Sequence, residues 1–160
     1  MFREIRRQDR ALDEEQAREI LDRAEYGVLA TVGADGWPYA VPLNHALVGD
    51  ILYLHCALEG HKLENLARDE RVSYCAVAGA EVKPATFSTL YESAVVFGRA
   101  ALVTDAQEKR KALQLLASRF GADLGALFER ALEQWGERTA VLRIQVERVT
   151  GKAHRQPAAI

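Results

Sequence analysis

Apolar and polar positions alternate along this chain with two different periods, and the switches between them divide it into many short strands and a few helices. Asp13 and Gln16 are spaced as a capping box, and Ile20, Leu21 and Ala24 then share one side of a helix ending near residue 24. Residues 26–32 are read as a buried strand and 33–36 as a turn. Residues 37–46 then alternate Tyr39, Val41 and Leu43 against Pro38, Ala40, Pro42 and Asn44. Pro38 and Pro42 cannot donate ladder hydrogen bonds, which predicts an edge or an irregular margin for that strand.

Val48-Gly49-Asp50 turns the chain into a third strand over 51–57. Gly60 then opens a short helix with Leu63, Leu66 and Ala67 on one face and Lys62 and Asn65 on another. A fourth strand follows over 71–78. The polar, proline-containing stretch 79–90 is expected to be a loop long enough to reach over a site or across to another subunit. The fifth strand, 93–103, is apolar around Ala94 to Phe97, and Gly98 marks a bulge or a close backbone approach. Asp105 and Glu108 repeat the capping spacing ahead of a helix whose Leu113, Leu116 and Phe120 are buried and which ends at Gly121. A short helix over 124–134 and a half-buried antiparallel strand over 139–149 complete the series, with a tail that frays after Gly151.

About six strands joined largely by hairpins, with helices at the start and before the last strand, favour a mainly β (α+β) antiparallel barrel over a doubly wound sheet. With 160 residues, 49% of them apolar, the chain can bury one substantial core, so residues 1–160 are read as a single domain. No Gly-x-Gly-x-x-Gly or P-loop pattern is present, so any bound phosphate must be held by side chains and isolated backbone donors.

A net charge of -2, with acids and bases closely mixed, lacks the basic stripe that nucleic acid or an anionic membrane would need. No stretch approaches a membrane span, and the cytoplasm is the expected location. Cys56 and Cys75 belong to no zinc-type spacing and are expected to be buried reduced thiols; no metal site is expected. His55 and Cys56, adjacent on one strand, point to opposite faces and cannot ligate one ion together.

Several short motifs then fall in a specific order. They are Arg6-Arg7-Gln8-Asp9-Arg10, Tyr26 to Thr31, Tyr39 to Asn44, Leu52-Tyr53-Leu54-His55, Gly60-His61-Lys62 with Asn65, Tyr91 to Gly98, and Thr150-Gly151-Lys152. In this order the chain resembles the nitroimidazole-resistance (Nim) type proteins of the pyridoxamine 5′-phosphate oxidase-like, FMN-binding split-barrel superfamily. The resemblance implies a homodimer of six-stranded split barrels with FMN in a groove at the subunit interface. It implies an FMN-dependent oxidoreductase acting on a small-molecule substrate, with nitroaromatic reduction as the implied activity. A non-catalytic flavin- or haem-binding protein of the same fold is the alternative, with His55 structural or an axial ligand. Pyridoxamine-phosphate oxidation itself is disfavoured, because the segment 150–156 does not reproduce the substrate-phosphate tail of that enzyme.

An FMN phosphate needs a cation and several donors, and Lys62 beside the start of a helix offers both; a solvated surface lysine is the plain alternative. His61 and Asn65 stand close enough in sequence to add donors. The ring system needs backbone groups and apolar walls, which Leu29, Ala30, Thr31, Val41, Pro42 and Asn44 can supply; ordinary strand-edge polarity explains Thr31 and Asn44 equally well. His55 matches the family's histidine near the flavin and is the candidate catalytic residue, set against a buried histidine satisfied by backbone. Tyr91 and Ser93 would meet a partner subunit's flavin or be buried in the interface.

Overall fold

The computed structural model describes residues 2–119, 121 and 125–155. The expected burial of Phe120, the start of a helix at Leu124 and the tail from 156 onward lie outside these residues. Among the described residues, eight strands form one antiparallel sheet: β1 (Ala11–Leu12), β2 (Gly27–Val32), β3 (Pro38–Leu43), β4 (His45–Val48), β5 (Ile51–Ala57), β6 (Arg71–Lys83), β7 (Ser88–Leu102) and β8 (Thr139–His154). Their order is β3-β2-β6-β7-β8-β5-β4, with β1 added beside β8. The two ends of this path, β3 and β4, follow each other in sequence through Asn44. The sheet therefore curls back on itself as a split barrel, the architecture expected.

The strand count rises from six to eight for two local reasons. The run 37–46 breaks at Asn44, because β3 pairs with β2 while β4 turns to pair with β5; β1 is a two-residue addition. The stretch 79–90 is not a loop. After a bulge between Val77 and Gly79, β6 continues to Lys83, a 3-10 turn (Pro84–Thr86) reverses the chain, and β7 begins at Ser88. Phe87, at φ 49° and 98% exposed, closes that turn. The last strand likewise runs on to His154, held by pairing to β7 and β1, so no fraying begins at Gly151. Gly98 fills the expected role: a Cβ there would lie 2.2 Å from the Gln145 carbonyl, at the bulge where β7 shifts register on β8.

Helix α1 (Glu14–Arg23) is started by the expected capping box. Asp13 accepts the Gln16 amide at 2.8 Å, and the Gln16 side chain accepts the Asp13 amide at 3.3 Å. Its buried Ala17, Ile20 and Leu21 join Leu29, Leu52, Leu54, Tyr74, Val96, Leu142 and Ile144 in the main core. Two further helices, α3 (Ala106–Ser118) and α4 (Gly125–Trp135), follow β7. Ala112 and Leu116 of α3 pack with Tyr53 and Val141 in a second, smaller core on the other face of β5 and β8. Arg119 joins the two cores: its guanidinium donates to the carbonyls of Leu21, Asp22 and Ala24 at 3.3, 2.9 and 2.7 Å, satisfying the end of α1.

Candidate functional site

The short helix α2 (His61–Leu66) follows Gly60, whose φ of 125° is a conformation side-chain-bearing residues rarely adopt. The turn aims α2 across the end of β2. There Asn65 donates its amide to the Thr31 hydroxyl at 2.9 Å, and both side chains are buried. The neighbouring His61 ring lies 4.2 Å from the Tyr39 ring, centroid to centroid, so α2 also touches the edge strand β3. Lys62 is half-buried and makes no ion pair among the described residues. Burial pushes the Cys56 thiol up, and the positive charge of Lys62 opposes that push.

The backbone around this point is partly unpaired. Strand β2 pairs with β6 only as far as Ala30, so Thr31 and Val32 keep one edge free. Strand β3 ends the sheet path, which leaves one edge of Val41 and Pro42 open. Pairing of β5 with β4 stops at Leu54, and His55, Cys56 and Ala57 pair with β8 alone. These free edges, α2 and Lys62 border the split of the barrel. Leu29 belongs to the core and its backbone pairs on both sides, as does that of Ala30. Asn44 spends its amide on the Glu25 carbonyl at 2.8 Å, pinning the β3–β4 corner.

His55 stands on the opposite face of β5 from Cys56, in agreement with strand alternation. It lines an apolar cavity of about 190 Å3 with Leu113 and Leu116 of α3, Phe128 and Trp135 of α4, and Thr139. Its Nδ1 is buried and has no hydrogen-bond partner among the described residues. Burial alone holds the imidazole below its ordinary pKa, so the ring is neutral at physiological pH. The backbone-satisfied histidine is instead His45. Its Nε2 donates to the Leu21 carbonyl at 2.7 Å, and its Nδ1 lies 2.9 Å from the Tyr74 hydroxyl.

Tyr91 and Ser93 are not gathered with Thr31, Asn65 and Lys62; they stand on β7 opposite His154 and Lys152 of β8. Arg99, a possible phosphate partner by charge, is engaged by Glu70 and Glu147 at 2.7 Å each. Trp37 is largely exposed rather than packed, and Trp135 lines the His55 cavity. Cys56 is half-buried and Cys75 exposed, both free thiols, so only the reduced state of the expectation agrees for Cys75. Among the described residues no cluster of three or more His, Cys, Asp or Glu side chains could hold a metal ion. Nor is any described helix long and apolar enough to cross a membrane.

The sequence profile of the pyridoxamine 5′-phosphate oxidase family matches residues 13–153. The chain belongs to that family. A Bacteroides thetaiotaomicron protein, named as a candidate 5-nitroimidazole antibiotic resistance protein, is 28% identical with a TM-score of 0.75, over 89% of this chain and 85% of its own. A conserved hypothetical protein of Mycobacterium tuberculosis superposes at TM-score 0.81 with 21% identity, over 98% and 96% of the two chains. The FAD and haem binding protein of Mycobacterium smegmatis superposes at 0.75 with 24% identity, over 92% and 75%. At those lower identities the two mycobacterial proteins establish the shared fold alone. No curated protein matches the chain.

Proposed function

We propose that this member of the pyridoxamine 5′-phosphate oxidase family is a cytoplasmic, homodimeric FMN-binding oxidoreductase that reduces small nitroaromatic compounds. The observation that carries the reading is Lys62, a half-buried cation with no ion-pair partner among the described residues, beside the Thr31–Asn65 pair at the split of the barrel. A phosphate there would meet the lysine charge and the His61 ring, with the Thr31–Asn65 bond holding α2 in position, and the ring would lie along the open backbone of Thr31, Val41 and Pro42. The residues present therefore fit FMN. When bound, the flavin would supply the electrons; the chain supplies position, exclusion of water and one imidazole.

His55 would act on the substrate. A cavity of about 190 Å3 with apolar walls suits a single small ring, since cavities of about 150 Å3 already accept benzene. The buried Nδ1 would give a nitro or carbonyl substituent its hydrogen-bond partner and relay a proton to it, a neutral imidazole being able to do either. The Bacteroides protein, named for 5-nitroimidazole resistance, supports the substrate class.

Two measurements test the reading. The purified protein should show the double absorption band of a bound flavin; a Soret band, or neither after FMN is supplied, would overturn it. Lys62→Ala should weaken FMN about tenfold to a hundredfold in a fluorescence titration, the loss expected for a charge-assisted contact of about 1.5–3 kcal/mol. An unchanged affinity removes Lys62 from the phosphate site.

A further inference from the structure

Helix α4 turns its apolar face to a cavity rather than to a packed core. Phe128, Ala131, Leu132 and Trp135 recur at the i, i+3, i+4, i+7 spacing of a helix side made for burial, yet no described residue of α4 is buried. All four instead line the apolar cavity of about 190 Å3 in which His55 faces α3. Trp135 is 51% exposed, so its ring stands at the border between that cavity and solvent.

Two features hold the Trp135 backbone in place. The Thr139 hydroxyl donates to the Trp135 carbonyl at 2.9 Å, and Thr139 is opposite Ala57, the second residue after His55 on β5. The turn between them is tight: a Cβ on Gly136 would lie 3.1 Å from the Leu132 side chain. Nearer the start of the helix, the exposed Arg110 of α3 pairs with the exposed Glu129 and lies 5.7 Å over the Phe128 ring, so its charge is satisfied at the surface. Among the described residues no Lys, Arg, Asp or Glu lines the cavity. The buried side-chain polar atom left without a partner there is Nδ1 of His55. A ligand with a full charge would lose its water in this space and meet no counter-charge, which one hydrogen bond does not offset; an uncharged ring loses little and gains the apolar walls.

We propose that Trp135 is a specificity-determining residue of this cavity, and that the face of α4 it completes admits uncharged single-ring aromatic compounds with a hydrogen-bonding substituent while rejecting anionic ones. The inference rests on the reading of the His55 cavity as the substrate site, and adds which compounds that site selects and which side chain limits their size. The Trp135 indole would meet the bound ring in offset or edge contact and occupies the space at the mouth that a larger compound would need.

A Trp37→Phe background leaves Trp135 as the one tryptophan of the full-length chain, so its fluorescence reports on the cavity. Nitrobenzene should quench it saturably, and 4-nitrobenzoate, the same ring with a carboxylate, should bind about tenfold or more weakly. In calorimetry, Trp135→Ala should shift the preference between nitrobenzene and 1-nitronaphthalene about fivefold or more toward the larger compound, and still disfavour 4-nitrobenzoate. Trp135→Phe keeps an aromatic wall and should shift that preference less, which separates lost wall from lost fold. These titrations read binding rather than turnover, so they apply with and without added FMN; a chain that takes no flavin yet selects nitrobenzene would sink the oxidoreductase reading alone. Quenching that never saturates, equal affinity for the charged and uncharged rings, an unchanged preference in Trp135→Ala, or displacement of nitrobenzene by FMN overturns the proposal.

Discussion

Asn65 donates its side-chain amide to the hydroxyl of Thr31 at 2.9 Å, tying α2 to the free end of β2. Both groups are buried, so removing either partner leaves the other without its bond and with little water to replace it. Asn65→Leu and Thr31→Val should each cost about 1–3 kcal/mol in urea unfolding. The double variant should cost clearly less than their sum, because it removes two polar groups that were lost one at a time. Strict additivity would mean that the bond does not hold α2 in place.

His55 should tie stability to pH on the acid side and, separately, contribute to turnover. Burial lowers the folded-state pKa of both His55 and His45, so below about pH 6.5 the unfolded chain binds more protons than the folded one. Their contribution to stability is complete above that pH and is lost as the pH falls toward the folded values. His55→Gln should therefore flatten the acid side of a melting-temperature profile while keeping FMN. It should also reduce a nitroaromatic test compound about tenfold more slowly, the lower part of the range for proton-transfer catalysis. Equal turnover would make His55 a packing residue, and an unchanged acid limb would mean that its burial is not maintained in solution.

Much of this was legible in the sequence because the signals are local. The Asp13–Gln16 box, the Gly33–Gly36 turn and Gly98 each act within a few residues or through one forbidden Cβ, and each appears where expected. The 79–90 stretch was not legible. Its exposed Val82 and Phe87 and its Pro84 carry no alternation, and the strand there is set by pairing with β7 rather than by propensity. Partnership across long separations was equally hidden: Arg119 caps a helix nearly a hundred residues earlier, and Tyr91 has Arg10 and Lys152 beside it from two distant segments. For the candidate site, the Asn65–Thr31 bond spans 34 residues, a contact that no spacing in the sequence announces. His55 faces the α3 and α4 side because strand parity, visible in its adjacency to Cys56, decides the face before any cofactor does.

Tyr74 supports His45 from inside the core. Its hydroxyl lies 2.6 Å from the Leu43 carbonyl and 2.9 Å from His45 Nδ1, and it has one proton for two acceptors. Burial raises its pKa well above the ordinary value, so the phenol stays protonated. Tyr74→Phe keeps the ring that fills the space beside Gly27 yet strands both acceptors, and should cost about 1–3 kcal/mol with little change in secondary structure. A loss within about 0.5 kcal/mol would show that water enters and replaces the hydroxyl.

Homodimerisation should bury the outer face of β2 and β6. Val28 lies opposite Pro42 on one side and Cys75 on the other, all exposed, and Tyr26 and Val77 extend the same apolar area. Obligate interfaces bury about 2,000 Å2 or more in total, with an apolar centre of this kind. Sedimentation at low micromolar concentration should give a dimer. The Val28→Glu/Val77→Glu variant should dissociate it, because two carboxylates per protomer would be forced out of water at the contact. If the cofactor groove is shared between protomers, FMN affinity should fall in the same variant while the Lys62 side chain is intact. A monomeric wild-type protein would remove the shared groove, and a dimeric variant would move the interface to another face of the barrel.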